Sequence, residues 1–173
     1  INVGGRDVSG VDLAFNYQHP ARRWGKLSFG GSASYIDEYL ARLDTSAAEL
    51  DLAGTFRDEA SEGLGGIPQW KGQLGLRWDR ERWRGSWDVH FVSDMTEIVP
   101  GTDRERTIDD WTVHDLQLSY TFDVLAGLRW SLGVDNVLDE EAPLAASAFN
   151  DNIDGRTHEL KGRYWYTKLS QRF

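Results

Sequence analysis

Apolar residues fall on every second position in about seven separate stretches of this chain, and almost nowhere do they recur at the three- and four-residue spacing of an amphipathic helix. Successive side chains of an extended strand point to opposite faces, so each stretch reads as a strand with one wholly apolar face. The first sets Val11, Leu13, Phe15 and Tyr17 against Asp12, Ala14, Asn16 and Gln18, and the second sets Leu27, Phe29, Gly31, Ala33 and Tyr35 against Ser28, Gly30, Ser32 and Ser34. The third carries Trp70, Leu74, Leu76 and Trp78, the fourth Trp87, Val89, Phe91 and Met95, the fifth Leu116, Leu118, Tyr120 and Phe122, and the sixth Leu128, Trp130, Leu132 and Val134. The seventh spans 163–173. Eight Trp and 18 Gly beside only four Pro suit extended strands better than helices, so the fold class is all-β.

Alternation alone fits both a lipid-facing barrel and a soluble β-sandwich, and the connections separate them. Those at 20–25, 79–84 and 123–127 are short; those at 40–68, 97–109 and 138–162 are long and polar. Strict alternation of short and long puts every tight turn at one end of the sheet and every long loop at the other, the asymmetry of an antiparallel up-and-down transmembrane β-barrel. Tyr17, Trp24, Tyr35, Tyr39, Trp70, Trp78, Trp83, Trp87 and Trp165 are expected near strand ends, at the level of lipid headgroups. The alternation in 49–56 could add an eighth strand, at the expense of the loop asymmetry.

Composition removes other classes. With 19 Lys and Arg against 28 Asp and Glu, the net charge of -9 repels phosphate backbones, so nucleic acid is not an expected partner. No apolar run reaches the roughly 18 residues of a membrane-spanning helix, a test that says nothing about membrane strands of about 10 residues. The absence of cysteine removes disulfides, thiolate metal sites and cysteine nucleophiles together. The first residue is Ile rather than Met and no basic, apolar and small-residue series follows it, so a secretory signal is expected to have been removed or to lie upstream.

The tail Gly162-Arg163-Tyr164-Trp165-Tyr166-Thr167-Lys168-Leu169-Ser170-Gln171-Arg172-Phe173 resembles the closing strand of TonB-dependent outer-membrane receptors, G-R-Y-Y-Y-x-x-L-S-Y-R-F. Leu132-Gly133-Val134-Asp135-Asn136-Val137-Leu138-Asp139 is similar to the penultimate strand of that family, L-G-V-x-N-L-F-D, and Gly10-Val11-Asp12-Leu13 to one of its barrel strands. Leu138 and Gln171 depart from the usual aromatics. The resemblance marks Asn136, Gly162, Arg163 and Tyr164 as motif residues, and implies an assembly signal in Trp165, Leu169 and Phe173 that is read by the barrel assembly machinery. It implies a barrel of about 22 strands around a plug. Residues 1–173 would then be its C-terminal segment, about seven strands forming a partial wall, with the plug and earlier strands absent. An odd strand number counted back from a periplasmic C-terminus places Ile1 on the extracellular side, which also argues truncation. By resemblance, the whole receptor sits in the outer membrane of a Gram-negative bacterium and imports a nutrient such as a ferric siderophore, cobalamin or a glycan, driven by the TonB complex.

Chemistry-bearing residues are sparse. His19, His90, His114 and His158 are too scattered for a zinc site, and no cofactor or resident metal is called for. Asp88, His90 and Asp94 share an alternation and would project together into the lumen, the basis for a hydrolase alternative; a small complete barrel or soluble sandwich acting as a binding module is the other. Acidic clusters occur at Asp58, Glu59 and Glu62, at Asp139, Glu140 and Glu141, and at Asp151 and Asp154, but Asp151-Asn152-Ile153-Asp154-Gly155 lacks the twelfth-position Glu of a calcium loop. The loop candidates for ligand contact are Arg104 and Arg106, whose guanidinium forks suit an anionic ligand such as a metal chelate, together with Asp151 and Asn152.

Overall fold

The computed structural model of the chain describes residues 5–20, 22–42, 48–57, 65–123, 127–149 and 151–171. Its strands are β1 (Arg6–Pro20), β2 (Lys26–Ala41), β3 (Leu50–Asp51), β4 (Thr55–Phe56), β5 (Trp70–Arg80), β6 (Trp83–Val92), β7 (Met95–Ile98), β8 (Glu105–Ile108), β9 (Trp111–Phe122), β10 (Leu128–Asp135) and β11 (Tyr164–Ser170). Each of the seven alternating stretches is a strand of one antiparallel sheet, in the order β1-β2-β5-β6-β9-β10-β11. Strand order follows chain order because each strand folds back on its predecessor, the up-and-down pattern. Among the described residues β1 and β11 do not pair with each other, so the sheet is an open section of barrel wall.

The register sorts the side chains by face. Phe15 lies opposite Gly31, Gly31 opposite Leu74, Leu74 opposite Val89, and Leu118 opposite Leu132. On the other face Ser32 meets Gln73, and Gln73 meets His90. Partners directly opposite in an antiparallel pair share a face, so one face is mainly apolar, interrupted by His114 opposite Val89 and Thr112 opposite Phe91, and the other is polar except beside the cap, where Val92, Trp111 and Val113 cluster. Among the described residues no second sheet covers the apolar face: Leu13 is 61% exposed, Leu74 55% and Leu169 67%. In a sandwich those positions would be the core. Trp70 and Trp78 bracket the apolar stretch of β5 across eight residues, about 26 Å of strand. Tilted by about 40°, that length rises about 20 Å, most of an apolar band about 25 Å tall. Tyr35 packs on Trp70 at 4.7 Å, and Trp83 on Tyr120 at 4.8 Å. Trp87 departs from the expectation: it sits mid-strand opposite Leu116 and donates its indole N–H to His114 Nδ1 at 3.3 Å.

Short turns gather at one end. They are the 3-10 turn Arg22–Trp24, the two-residue turn Glu81–Arg82, and the connection at 123–127. Trp78 donates its indole N–H to the Trp24 carbonyl at 2.7 Å, and Arg82 pairs with Asp123, so neighbouring turns are tied together. The three long connections, 42–69, 93–110 and 136–163, leave from the other end.

Those connections are not the plain polar loops that composition suggests. The 49–56 alternation forms two short strands rather than one: β3 extends the edge of β2 beyond the reach of β5, and β4 joins β7 and β8 in a separate three-stranded sheet. The loop asymmetry is therefore kept. Met95 belongs to β7 and is buried, not on the apolar face of β6, because the chain leaves the wall at Ser93 and Asp94. Phe56 from the first connection, Met95 and Ile108 from the second, and Ala145 and Ala148 from the third form one buried cluster. The chain's largest hydrophobic cluster of buried residues thus lies in a cap over one end of the wall.

Candidate functional site

The polar face of the wall and the underside of the cap enclose a series of recesses. One of about 460 Å³ lies where glycines thin the wall, lined by Asn16, Ser28, Gly30, Gly75, Arg77 and Asp88. A second of about 500 Å³ adjoins it at Arg77 and Asp88 and reaches Asp115, Gln117 and Tyr166. A third of about 360 Å³ is roofed by Thr157 and Glu159 of the cap and walled by Lys71, Gln73, His90, Trp111 and Asp115. Polar groups along the wall lie close to partners: Arg77 lies 3.8 Å from Asp88, and His90 Nε2 lies 3.5 Å from Asp115. Tyr166 donates its hydroxyl to Gln117 at 3.3 Å across a position where Gly133 leaves room for the ring.

The Asp88, His90 and Asp94 group does not assemble. β6 ends at Val92, so Asp94 lies beyond the strand and lines a different recess with Thr96 and Glu97, while the acid beside His90 comes from β9. The alternation that seemed to join the three runs past the point where the chain turns into the cap.

The cap is held by buried polar residues. Glu97 is 1% exposed and accepts hydrogen bonds from Ala146 N at 2.9 Å, Ser147 N at 2.8 Å and Ser147 Oγ at 2.6 Å, with Arg106 at 3.5 Å. The carboxylate therefore fastens the third connection to the second. Asp154 is 4% exposed and fastens the third to the first by accepting Gly66 N at 2.8 Å. Gly66 has no room for a side chain, since an added Cβ would overlap Met95 Sδ and come within 3.0 Å of Asp154 Oδ2. Sequence patterning did not single out Glu97 or Asp154 as anchors. A signal existed for Glu97: it shares an alternation with Met95, and Arg106 shares one with Ile108, which places an acid and a base on an apolar face.

Of the loop candidates, Arg106 is ion-paired with Glu97 at 3.5 Å, its side chain part-exposed. Arg104 is exposed at the β7–β8 turn, its amide donating to Thr102 Oγ1 at 3.2 Å. Asp151 and Asn152 are exposed in left-handed backbone, and the Asn152 carbonyl accepts Ala145 N at 2.7 Å. No hydrogen bond or ion pair among the described residues joins them to either arginine. Asp58, Glu59, Glu62, Arg172 and Phe173 lie outside the described residues.

The motif residues meet in one turn. Asn136, left-handed at φ 51 and 6% exposed, accepts Glu140 N at 2.9 Å and donates its amide to Glu140 O at 2.8 Å. Its backbone N–H donates to Asp115 at 2.7 Å. Gly162, at φ 64, turns the chain so that Arg163 returns to Asp139, donating from its backbone at 2.9 Å and its guanidinium at 2.8 Å. Those two donations hold the Asp139 carboxyl below the usual carboxylate range. In β11, Trp165, Thr167 and Leu169 fall opposite Val134, Leu132 and Trp130 on the apolar face, and the Trp130 indole donates to Thr167 Oγ1 at 2.8 Å.

Residues 1–137 match the β-barrel of TonB-dependent receptor-like proteins. The chain belongs to that family. No curated protein matches it in sequence. A solved structure with the same fold is a point mutant of the ferric enterobactin receptor PfeA from Pseudomonas aeruginosa, with a TM-score of 0.58 and 16% identity. The match covers 94% of this chain and 22% of that one. The apolar face of this TonB-dependent receptor barrel is therefore its lipid face, the polar face its lumen, and the cap belongs to the loop end of the wall.

Proposed function

We propose that this chain is the C-terminal portion of an outer-membrane receptor that imports a scarce nutrient, such as a ferric siderophore, cobalamin or a glycan, under the control of TonB. The observation that carries the reading is a lipid-compatible sheet whose polar face is recessed and roofed at one end by three interlocked loops. In this reading the remaining strands and a plug come from the rest of the receptor, which agrees with the 22% coverage of the neighbour. The terminal strand, with Trp165 and Leu169 directed to lipid, would together with Phe173 be what the barrel assembly machinery takes up.

Charge narrows the cargo. Residues 42–69, 93–110 and 136–163 hold 18 Asp and Glu against seven Lys and Arg, a net charge of -11, so the rest of the chain is slightly positive. Four of those seven bases are held in ion pairs: Arg42, Arg106, Lys161 and Arg163. A rim of that sign repels polyanions at long range and favours neutral or cationic cargo. The test is uptake by the full-length receptor in a Gram-negative host stripped of its own receptors, offered a neutral ferric trihydroxamate, a ferric tricatecholate of charge -3, cobalamin and oligosaccharides, with and without TonB. Uptake of at least one cargo that is lost without TonB is expected, with the neutral chelate preferred to the anionic one. A surface-exposed receptor that takes up none of them would overturn the import reading; preference for the tricatecholate would overturn only the charge argument.

A further inference from the structure

Where the cap meets the wall, His158 is 3% exposed and neither ring nitrogen has a hydrogen-bond partner among the described residues. Its ring stands edge-on to Trp111 at the start of β9, with centroids 5.6 Å apart and planes at 86°, and Trp111 Nε1 is equally buried and unpartnered. A neutral imidazole leaves one N–H unpaired in such a place. An imidazolium leaves two, together with a whole charge away from water, which is far more costly.

The segment carrying this ring is the one that closes the cap. His158 N donates to the Asp154 carbonyl at 2.9 Å, Asp154 accepts Gly66 N through Oδ2 and Arg156 N through Oδ1, and Thr157 Oγ1 reaches the Gly66 carbonyl at 3.4 Å. Gly66, Met95 and Asp154, one from each long connection, thus meet beside His158. Expelling the ring would pull on the only described segment that roofs the recess over Lys71, Gln73 and His90.

The charges acting on the imidazole oppose one another. Asp154 in its own loop favours protonation, but both of its oxygens already accept backbone donors; Lys71 of β5 disfavours it. The recess beneath adds His90 of β6, Asp115 of β9 and the neighbouring Glu159. Burial outweighs the rest and holds the ring below the usual histidine range.

We propose that His158 is a proton-operated latch: neutral, it seats residues 153–161 between Trp111 and the Gly66 joint, and protonated, it leaves that seat and uncovers the recess at the lumen mouth. The closed cap binds fewer protons than the open one at pH values below about 6.5, the ordinary histidine value, so opening is favoured as pH falls through that range and the latch is firmest above it. The relevance of the latch to import rests on the proposed function, but the latch itself can be read without any cargo.

The test is amide hydrogen exchange of the full-length receptor in lipid nanodiscs at pH 8 and pH 5.5, corrected for intrinsic rates. In the parent, peptides spanning 153–161 should exchange several-fold faster at the lower pH, up to the roughly tenfold ceiling set by working one pH unit below the ordinary histidine value, while those spanning 111–122 stay unchanged. His158→Phe should remove the difference. Lys71→Met, which takes away the cation that disfavours protonation of the seated ring, should make the charged ring easier to keep in place and so shrink the difference between the two pH values. Equal protection of 153–161 at both pH values in the parent, the same pH response in His158→Phe, or an undiminished pH response in Lys71→Met would each overturn the latch.

Discussion

Single residues decide how the wall hands over to the cap. Asn136 closes a turn with two side-chain hydrogen bonds to one residue, in a backbone conformation that Asn tolerates better than most side chains. Asn136→Ala should lower the protection of amides 136–140 in the full-length receptor by about 2 kcal/mol, the cost of leaving buried polar groups unpaired, plus the strain of a left-handed alanine. Asn136→Gly, which loses the same bonds but not the conformation, should lose about 1 kcal/mol less; equal losses would show that φ contributes nothing. Asn136 was legible in the sequence through its motif, whereas Glu97, Asp154 and His158 were not. A polar residue announces its type but not its burial, and burial here comes from contacts across as many as 91 positions of chain. The misreading at Asp94 has the same origin, since alternation continues for two residues after the strand has stopped.

Among elements, strands were far more legible than connections. A strand crossing a bilayer must alternate along its whole length, so its period survives any tertiary context. A connection folds only through partners elsewhere: β4 pairs in parallel with β7, 40 residues away, and two-residue strands carry no period. The cap should consequently behave as one unit. Glu97→Gln replaces one acceptor oxygen with a donor that faces the amides of Ala146 or Ser147, at a cost of about 1–3 kcal/mol. The effect should appear in a different connection from the substitution, as faster chymotryptic cleavage after Phe149, which is already 94% exposed. Cleavage at the parent rate would mean that the second and third connections are not coupled through this carboxylate.

At the scale of the whole molecule, the chain inverts the usual layout of a β-protein. Its side chains of lowest exposure lie in a small cap or along a polar face, while the long apolar rows of the sheet point outward. The layout makes sense only if the medium outside the sheet is itself apolar, which is the physical content of membership in an outer-membrane barrel family. The loop asymmetry and alternation carried that conclusion in the sequence. What they could not show is that the three loops form one interlocked roof, because that depends on which of their side chains meet. The most direct test of the account is a period-two scan. Single cysteines placed in the full-length receptor at Gln73, Leu74, Gln117, Leu118, Ser131 and Leu132, spin-labelled and reconstituted in bilayers, report collision with oxygen, which concentrates in lipid, and with a water-soluble nickel chelate. Labels at Leu74, Leu118 and Leu132 should be oxygen-accessible and shielded from nickel, with the reverse ordering at Gln73, Gln117 and Ser131; labels that fail to alternate, or that alternate in the opposite sense, would contradict the assignment of the apolar face to lipid.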